Sequence, residues 1–208
     1  KEYVSRMKEE QKDIYYACGE TLDKIDMLPQ VEKVKEKGYE ILYLTENIDE
    51  FVVKSLMNYD EKKFTNICTN ELDLDSEEEK EKLKKENEEN KDMFDAMKDA
   101  IKDDVQLVRF THRLKNHPVC LTSEGAISLE MEKVINAMPT DQNVKAQKVL
   151  EINEEHPIAN KLKELYKEDK DKLKDYTKIL YSQARLIEGM TIENPTEISN
   201  LICDIMSK

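Results

Sequence analysis

The alternation of apolar and polar positions divides the chain into short strands and amphipathic helices. Residues 1–11 predict a short helix with Tyr3, Val4 and Met7 apolar, and Ile14-Tyr15-Tyr16-Ala17-Cys18 is a compact β-prone run. Residues 29–37 predict a helix ended by Gly38, and Tyr39-Glu40-Ile41-Leu42-Tyr43-Leu44 a second strand. Residues 48–57 predict a helix with Phe51, Val52, Ser55 and Leu56 on one side, and Lys63-Phe64-Thr65-Asn66-Ile67-Cys68 a third strand. Strand, helix, strand, helix, strand makes two βαβ units. They imply a small αβα unit with a three-stranded parallel sheet, right-handed crossovers and helical cover.

From Leu72 the pattern changes. Acidic residues crowd together, and Ser76 with Glu79 forms a capping box that opens a long charged helix over residues 76–102. Its first half predicts a solvated connector. The domain boundary falls here, giving domains 1–75 and 76–208. Beyond it, residues 105–111 alternate as a strand, Asn116-His117-Pro118 turns, and Val119-Cys120-Leu121-Thr122 returns antiparallel. A helix over 126–138, a strand over 147–152, a helix from Pro157 to about residue 168 and a terminal helical hairpin complete an α+β domain. The fold class is therefore α/β plus α+β.

The hairpin, residues 172–208, has more apolar stripe than it can hide alone. Leu173, Tyr176, Leu180, Ala184 and Ile187 recur at helical spacing in its first helix. In the second, Ile198, Leu201, Ile202, Ile205 and Met206 fall on one face after an Asn194-Pro195 start with Glu197 three residues beyond the cap. Periodicity reports burial and not the partner, so an intrachain face and a second copy both satisfy it. The second copy gives a four-helix-bundle homodimer on a two-fold axis. The helix at 126–138 poses the same choice. Ile127, Met131, Val134, Ile135 and Met138 share one face and Leu129 lies apart from it, which suits either a core face or an exposed ridge with adaptable methionines.

Composition narrows the function. Charged and hydrophobic residues each make up 38%, with only 4 Gly and 5 Pro, which describes a helix-rich globular chain and not a disordered one. A net charge of −13 repels nucleic acid and anionic lipid, so neither is expected as a partner. No apolar run approaches the length of a membrane span. Cys18, Cys68, Cys120 and Cys203 show no metal or redox spacing and predict buried, reduced thiols in a cytoplasmic protein. The start, Lys-Glu-Tyr-Val without Met, suggests a piece of something longer.

Candidate chemistry is thin. The loop Gly19-Glu20-Thr21 after the first strand has one glycine, no phosphate-binding pattern and an acid where phosphate would sit. His112, His117 and His156 share no ligand spacing, no nucleophile elbow exists, and no carboxylate pair lies in an apolar setting. No enzyme, metal or cofactor site is expected in these residues.

A family resemblance then enters. Tyr3-Val4-Ser5-Arg6-Met7-Lys8 with Gln11-Lys12-Asp13-Ile14-Tyr15-Tyr16 resembles a stretch of the heat-shock protein 90 chaperones. So do Gly38-Tyr39-Glu40-Ile41-Leu42-Tyr43-Leu44 leading into Ile48-Asp49-Glu50-Phe51, and Val108-Arg109-Phe110-Thr111-His112-Arg113-Leu114 with Pro118-Val119-Cys120-Leu121. Met131-Glu132-Lys133 and Leu150-Glu151-Ile152-Asn153 with His156-Pro157 extend it in order along nearly the whole chain. The resemblance implies the end of that family's middle domain plus its C-terminal dimerisation domain. It places the dimer bundle on the terminal hairpin and a client-contacting helix at 126–138. It also implies an ATP-driven homodimer that handles partly unfolded clients, with ATP and magnesium held in an amino-terminal domain outside these residues. The ending Cys203-Asp204-Ile205-Met206-Ser207-Lys208 lacks the Met-Glu-Glu-Val-Asp tail that docks tetratricopeptide co-chaperones, which resembles the bacterial, high-temperature protein G branch. The alternative function is a helix-rich dimeric adaptor with one specific protein partner.

Overall fold

The structure is a computed structural model that describes residues 1–69, 72–101, 105–139 and 143–207. Its elements in order are α1 (Glu2–Arg6), β1 (Ile14–Cys18), α2 (Leu22–Asp26), α3 (Val31–Glu36), β2 (Ile41–Leu44), α4 (Asp49–Leu56), β3 (Asn58–Tyr59) and β4 (Lys62–Asn66). Then come α5 (Glu77–Glu89), α6 (Lys91–Ala100), β5 (Leu107–Thr111), β6 (Val119–Glu124), α7 (Leu129–Ala137), β7 (Gln147–Asn153), α8 (Pro157–Glu168), α9 (Lys170–Ile187) and α10 (Pro195–Met206). They form two compact units. One comprises Lys1–Leu74 with Thr122–Gln147, the other Asp75–Leu121 with Lys148–Lys208.

In the first unit the sheet order is β2-β1-β4-β3. β1 runs parallel to β2, with Tyr15 opposite Ile41, and parallel to β4, with Ile14 opposite Phe64. Ile14, Tyr15, Tyr16 and Ala17 are all buried, as a strand covered on both faces requires. The three expected parallel strands are present. The two-residue β3, antiparallel to β4, is an addition. Asp60 and Glu61, both at positive φ, make the turn of that hairpin. Helix α2 escaped the apolar pattern because it is only five residues long, although Thr21 caps it by accepting from the Lys24 N–H at 3.2 Å. Gly38, at φ +69, ends the following helix as expected. Helix α1 is tied down at β2, where the Tyr3 hydroxyl donates to the Glu40 carbonyl and Arg6 grips the Glu40 carboxylate with two nitrogens.

The second sheet has the order β5-β7-β6. β7 separates the two strands expected to pair, and it runs parallel to β5. Val149, Leu150 and Ile152 of β7 are fully covered, as a central strand requires, and β5 leaves Leu107 exposed at one edge; β6 is buried from Val119 to Ser123 at the other edge, so burial alone does not set the order. Glu151, on the same central strand, is buried but paired with Arg109 and with Arg113 at 2.6 Å.

The expected long helix is two. Asn90 breaks it at φ −104, ψ 12, with its side-chain amide donating to the Glu86 carbonyl at 2.8 Å. α5 begins with the expected Ser76–Glu79 capping box and has no buried residue. It is nevertheless docked, because Asn87 hydrogen-bonds both backbone groups of Phe110 and Glu86 pairs with Lys163 at 2.8 Å. α6 lays Met93, Phe94 and Met97 into the core, with Phe94 edge-on to Phe110 at 4.9 Å.

Candidate functional site

Apolar helical faces are open in both units among the described residues. The first is the terminal hairpin. Leu173, Leu180 and Ala184 of α9 are buried by their own chain, while Tyr176 and Ile187 are half-covered and Leu186 is exposed. α10 has no buried residue at all. Ile198, Leu201 and Ile205 are half-covered, Ile202 is exposed, and Met206 is 81% exposed. So α9 turns one stripe inward, and the apolar side of α10 stays open. α10 is held to α9 by polar ties. Lys178 donates to Glu197 at 2.6 Å and holds that carboxyl below its usual range, and Arg185 donates to Glu193 at 3.2 Å. Asn194 is the expected cap, accepting from the Glu197 N–H at 3.2 Å.

The second face belongs to the first unit. α7 starts three residues later than expected because Ser128 is its cap, accepting from the Met131 N–H at 3.0 Å. Leu129 and Met131 are buried, Ile127, Val134 and Ile135 are half-covered, and Met138 is 47% exposed. The same unit exposes a stripe on α4 and its flanks. Ile48, Val52 and Leu56 stand four residues apart, followed by Met57 and Tyr59. Beside it lies a groove of about 800 Å³ lined by residues that include Val53, Lys54, Met57, Phe64 and Ala126. The shared side of Phe51, Val52, Ser55 and Leu56 was the sequence signal for this stripe, and Ile48 and Met57 extend it.

The titratable residues singled out by type have structural partners. His112 is buried with Nδ1 3.2 Å from Asp75 and Nε2 3.6 Å from Glu154. The His156 ring caps α8, Nδ1 accepting from the Ile158 N–H at 3.1 Å. His117 is half-covered in the turn before β6. Gly19 has a packing reason: a Cβ there would come within 2.9 Å of Cγ1 of Ile25, a fully buried residue. Glu20, next in that loop, pairs with Lys24, so these residues do not fit a nucleotide phosphate. No disulfide joins the four cysteines. Cys120 is buried, Cys18 and Cys68 are half-covered, and Cys203 is exposed on α10, against the expectation that it is buried. Among the described residues no cluster of His, Cys, Asp and Glu could hold a metal, and no helix is long and apolar enough to cross a membrane.

The open apolar positions thus gather at the hairpin and on α7 and α4. The family model described as Hsp90 protein matches residues 1–208, and the chain belongs to that family. It is 55% identical over 205 residues to chaperone protein HtpG of Clostridium perfringens strain 13, covering 99% of this chain and 32% of that protein. The HtpG of Clostridium botulinum strain Loch Maree is also 55% identical over 205 residues, and that of Bacillus subtilis strain 168 is 51% identical, each covered for 33% of its length. The chain thus spans about a third of the length of these relatives.

Proposed function

We propose that this chain supplies the dimerisation and client-contact surfaces of a bacterial chaperone of the HtpG type, working in the cytoplasm. The observation that carries the reading is α10, a twelve-residue helix with an apolar stripe and no buried side chain. Ile198, Leu201, Ile202, Ile205 and Met206, joined by Tyr176 and Ile187 of α9, are the surface that a second copy would cover in a four-helix bundle. Leu173, Leu180 and Ala184 support that surface from beneath. Joining two protomers at one end makes closure elsewhere intramolecular and raises its effective concentration. ATP-driven steps belong to parts of the assembly outside these 208 residues, and no step through nucleotide is assigned to them.

Partly unfolded clients would be held by α7 and its flanks, at the half-covered Ile127, Val134 and Ile135 and the exposed Met138, together with the α4 stripe of the same unit. Met131 contributes from a covered position. Single methionines and branched aliphatic side chains suit weak holding of varied apolar segments. The acidic surface keeps the loaded assembly soluble. Val134→Ser with Ile135→Ser and Met138→Ser should weaken suppression of aggregation for two unrelated unfolding proteins, with the melting temperature nearly unchanged. Undiminished suppression contradicts the client surface, and loss for one protein alone indicates a single-partner adaptor.

A further inference from the structure

We propose that α7 is held down by a polar latch on α4, and that releasing the latch lets α7 swing out and offer Leu129 and Met131 as additional client surface. This rests on α7 being a client contact. The latch itself is built from four side chains of one unit. The Ser128 hydroxyl donates to Oε2 of Glu50 at 2.6 Å. Oε1 of Glu50 accepts from the Asn66 amide at 2.9 Å, with the Lys54 ammonium 3.5 Å away. Lys54 reaches on to donate to the Ala126 carbonyl at 2.8 Å, and it contacts the Met131 sulfur at 3.1 Å. Both residues gripped, Ala126 and the cap Ser128, lie in the short stretch that leads into α7.

Three features make this a reversible catch and not an ordinary core contact. Glu50 is a carboxylate only 3% exposed, in the first turn of α4. Burying it removes its water, and its hydrogen bonds repay that loss only partly, so the latch holds α7 with a small net preference. Second, α7 is apolar on more than one side, so the helix has something to gain from a partner in either position. Third, the helix can move as a piece. Gly125 at φ +76 sits just before it, while Asn136 exchanges two hydrogen bonds with Val144 and Glu132 accepts from the Ala146 N–H, so Val144 and Ala146 travel with it.

The latched state also closes a cleft that can report on it. Cys18, Glu50 and Phe51 face Met131 and Val134 across a space of about 10 Å³, room for one water at most. Burial, reinforced by the Glu50, Glu130 and Asp49 carboxylates, pushes the Cys18 thiol up, so it is half-covered and poorly ionised while α7 is down.

The test is the rate at which N-ethylmaleimide labels Cys18 in the whole chain, read site by site by mass spectrometry. Ser128→Asp keeps a good helix cap but sets two carboxylates against each other, and it should raise the Cys18 rate about tenfold or more. Ser128→Asn caps as well and can donate to Glu50, and it should stay within about twofold of wild type. Adding Glu50→Gln to Ser128→Asp restores a donor between the two positions and should bring the rate back. Buried Cys120 staying unlabelled and half-covered Cys68 keeping its wild-type rate show that the second and the first unit, respectively, are intact. If Ser128→Asp exposes Cys120 or Cys68 as well, Lys54→Met decides, because it frees the Ala126 carbonyl without introducing a charge and should raise the Cys18 rate about threefold. A Cys18 rate unchanged in the deciding variant, or no recovery on adding Glu50→Gln, overturns the latch. The released variants should also capture more heat-unfolding citrate synthase. Faster Cys18 labelling with unchanged capture keeps the latch and overturns the client role of α7, so the two failures are separable.

Discussion

Glu61 occupies the left-handed region at φ 61 in the turn between β3 and β4, directly after Asp60 at φ 53. An Asp-Gly pair is the preferred chemistry for such a turn, and a side chain at the second position is strained. Replacing it should help even after the greater freedom of glycine in the unfolded chain is counted. Glu61→Gly is expected to stabilise the chain by about 0.5–1 kcal/mol, seen as a higher urea midpoint with an unchanged slope. Local side-chain signals of this kind were also the most legible part of the chain. The Ser76–Glu79 box, the Asn194 cap and the Pro157 start each stand where their spacing places them. Ser128 was passed over because Ser123-Glu124-Gly125 offers an earlier break, and nothing local shows that Glu50, seventy-eight residues away, accepts from its hydroxyl. His156 likewise reads as a lone histidine until its ring is seen to cap α8.

At the scale of elements, apolar period identified strands and long helices but not their neighbours. β5 and β6 are close in sequence and were expected to pair, yet β7 enters between them. Val149, Leu150 and Ile152 of β7 are buried, but so is β6 from Val119 to Ser123, so apolar content did not tell the central strand from the edge; that depends on which faces other elements cover. α5 shows the converse case. Its charged composition reads as a free connector, but Asn87 hydrogen-bonds the Phe110 N–H at 2.8 Å and the Phe110 carbonyl at 3.2 Å, as a neighbouring strand would. One amide therefore finishes the edge of β5 and blunts it against pairing with another chain. Asn87→Ala should lower stability by about 1–3 kcal/mol and remove hydrogen-exchange protection at the Phe110 amide. Protection retained at wild-type level would show that water or another group closes that edge.

Over the whole molecule, the family resemblance was carried by the order of many weak motifs from Tyr3 to Pro157, and the match over residues 1–208 agrees with it. The destination of each apolar stripe was less legible. Leu173, Leu180 and Ala184 have the same helical spacing as Ile198, Leu201 and Ile205, yet the first three are buried within their own chain and the last three are not. Period measures how much of a helix is apolar, and only the folded chain shows what is left uncovered. One of the faces left uncovered is α10, and the account of this chain as half of a dimer depends on it. Sedimentation equilibrium at micromolar concentration tests that dependence most directly. The account predicts a mass twice the 24.4 kDa of one chain, falling to a single chain in Leu201→Glu with Ile205→Glu. A wild-type chain that sediments as a folded monomer, or a dimer that both glutamates leave intact, would contradict it.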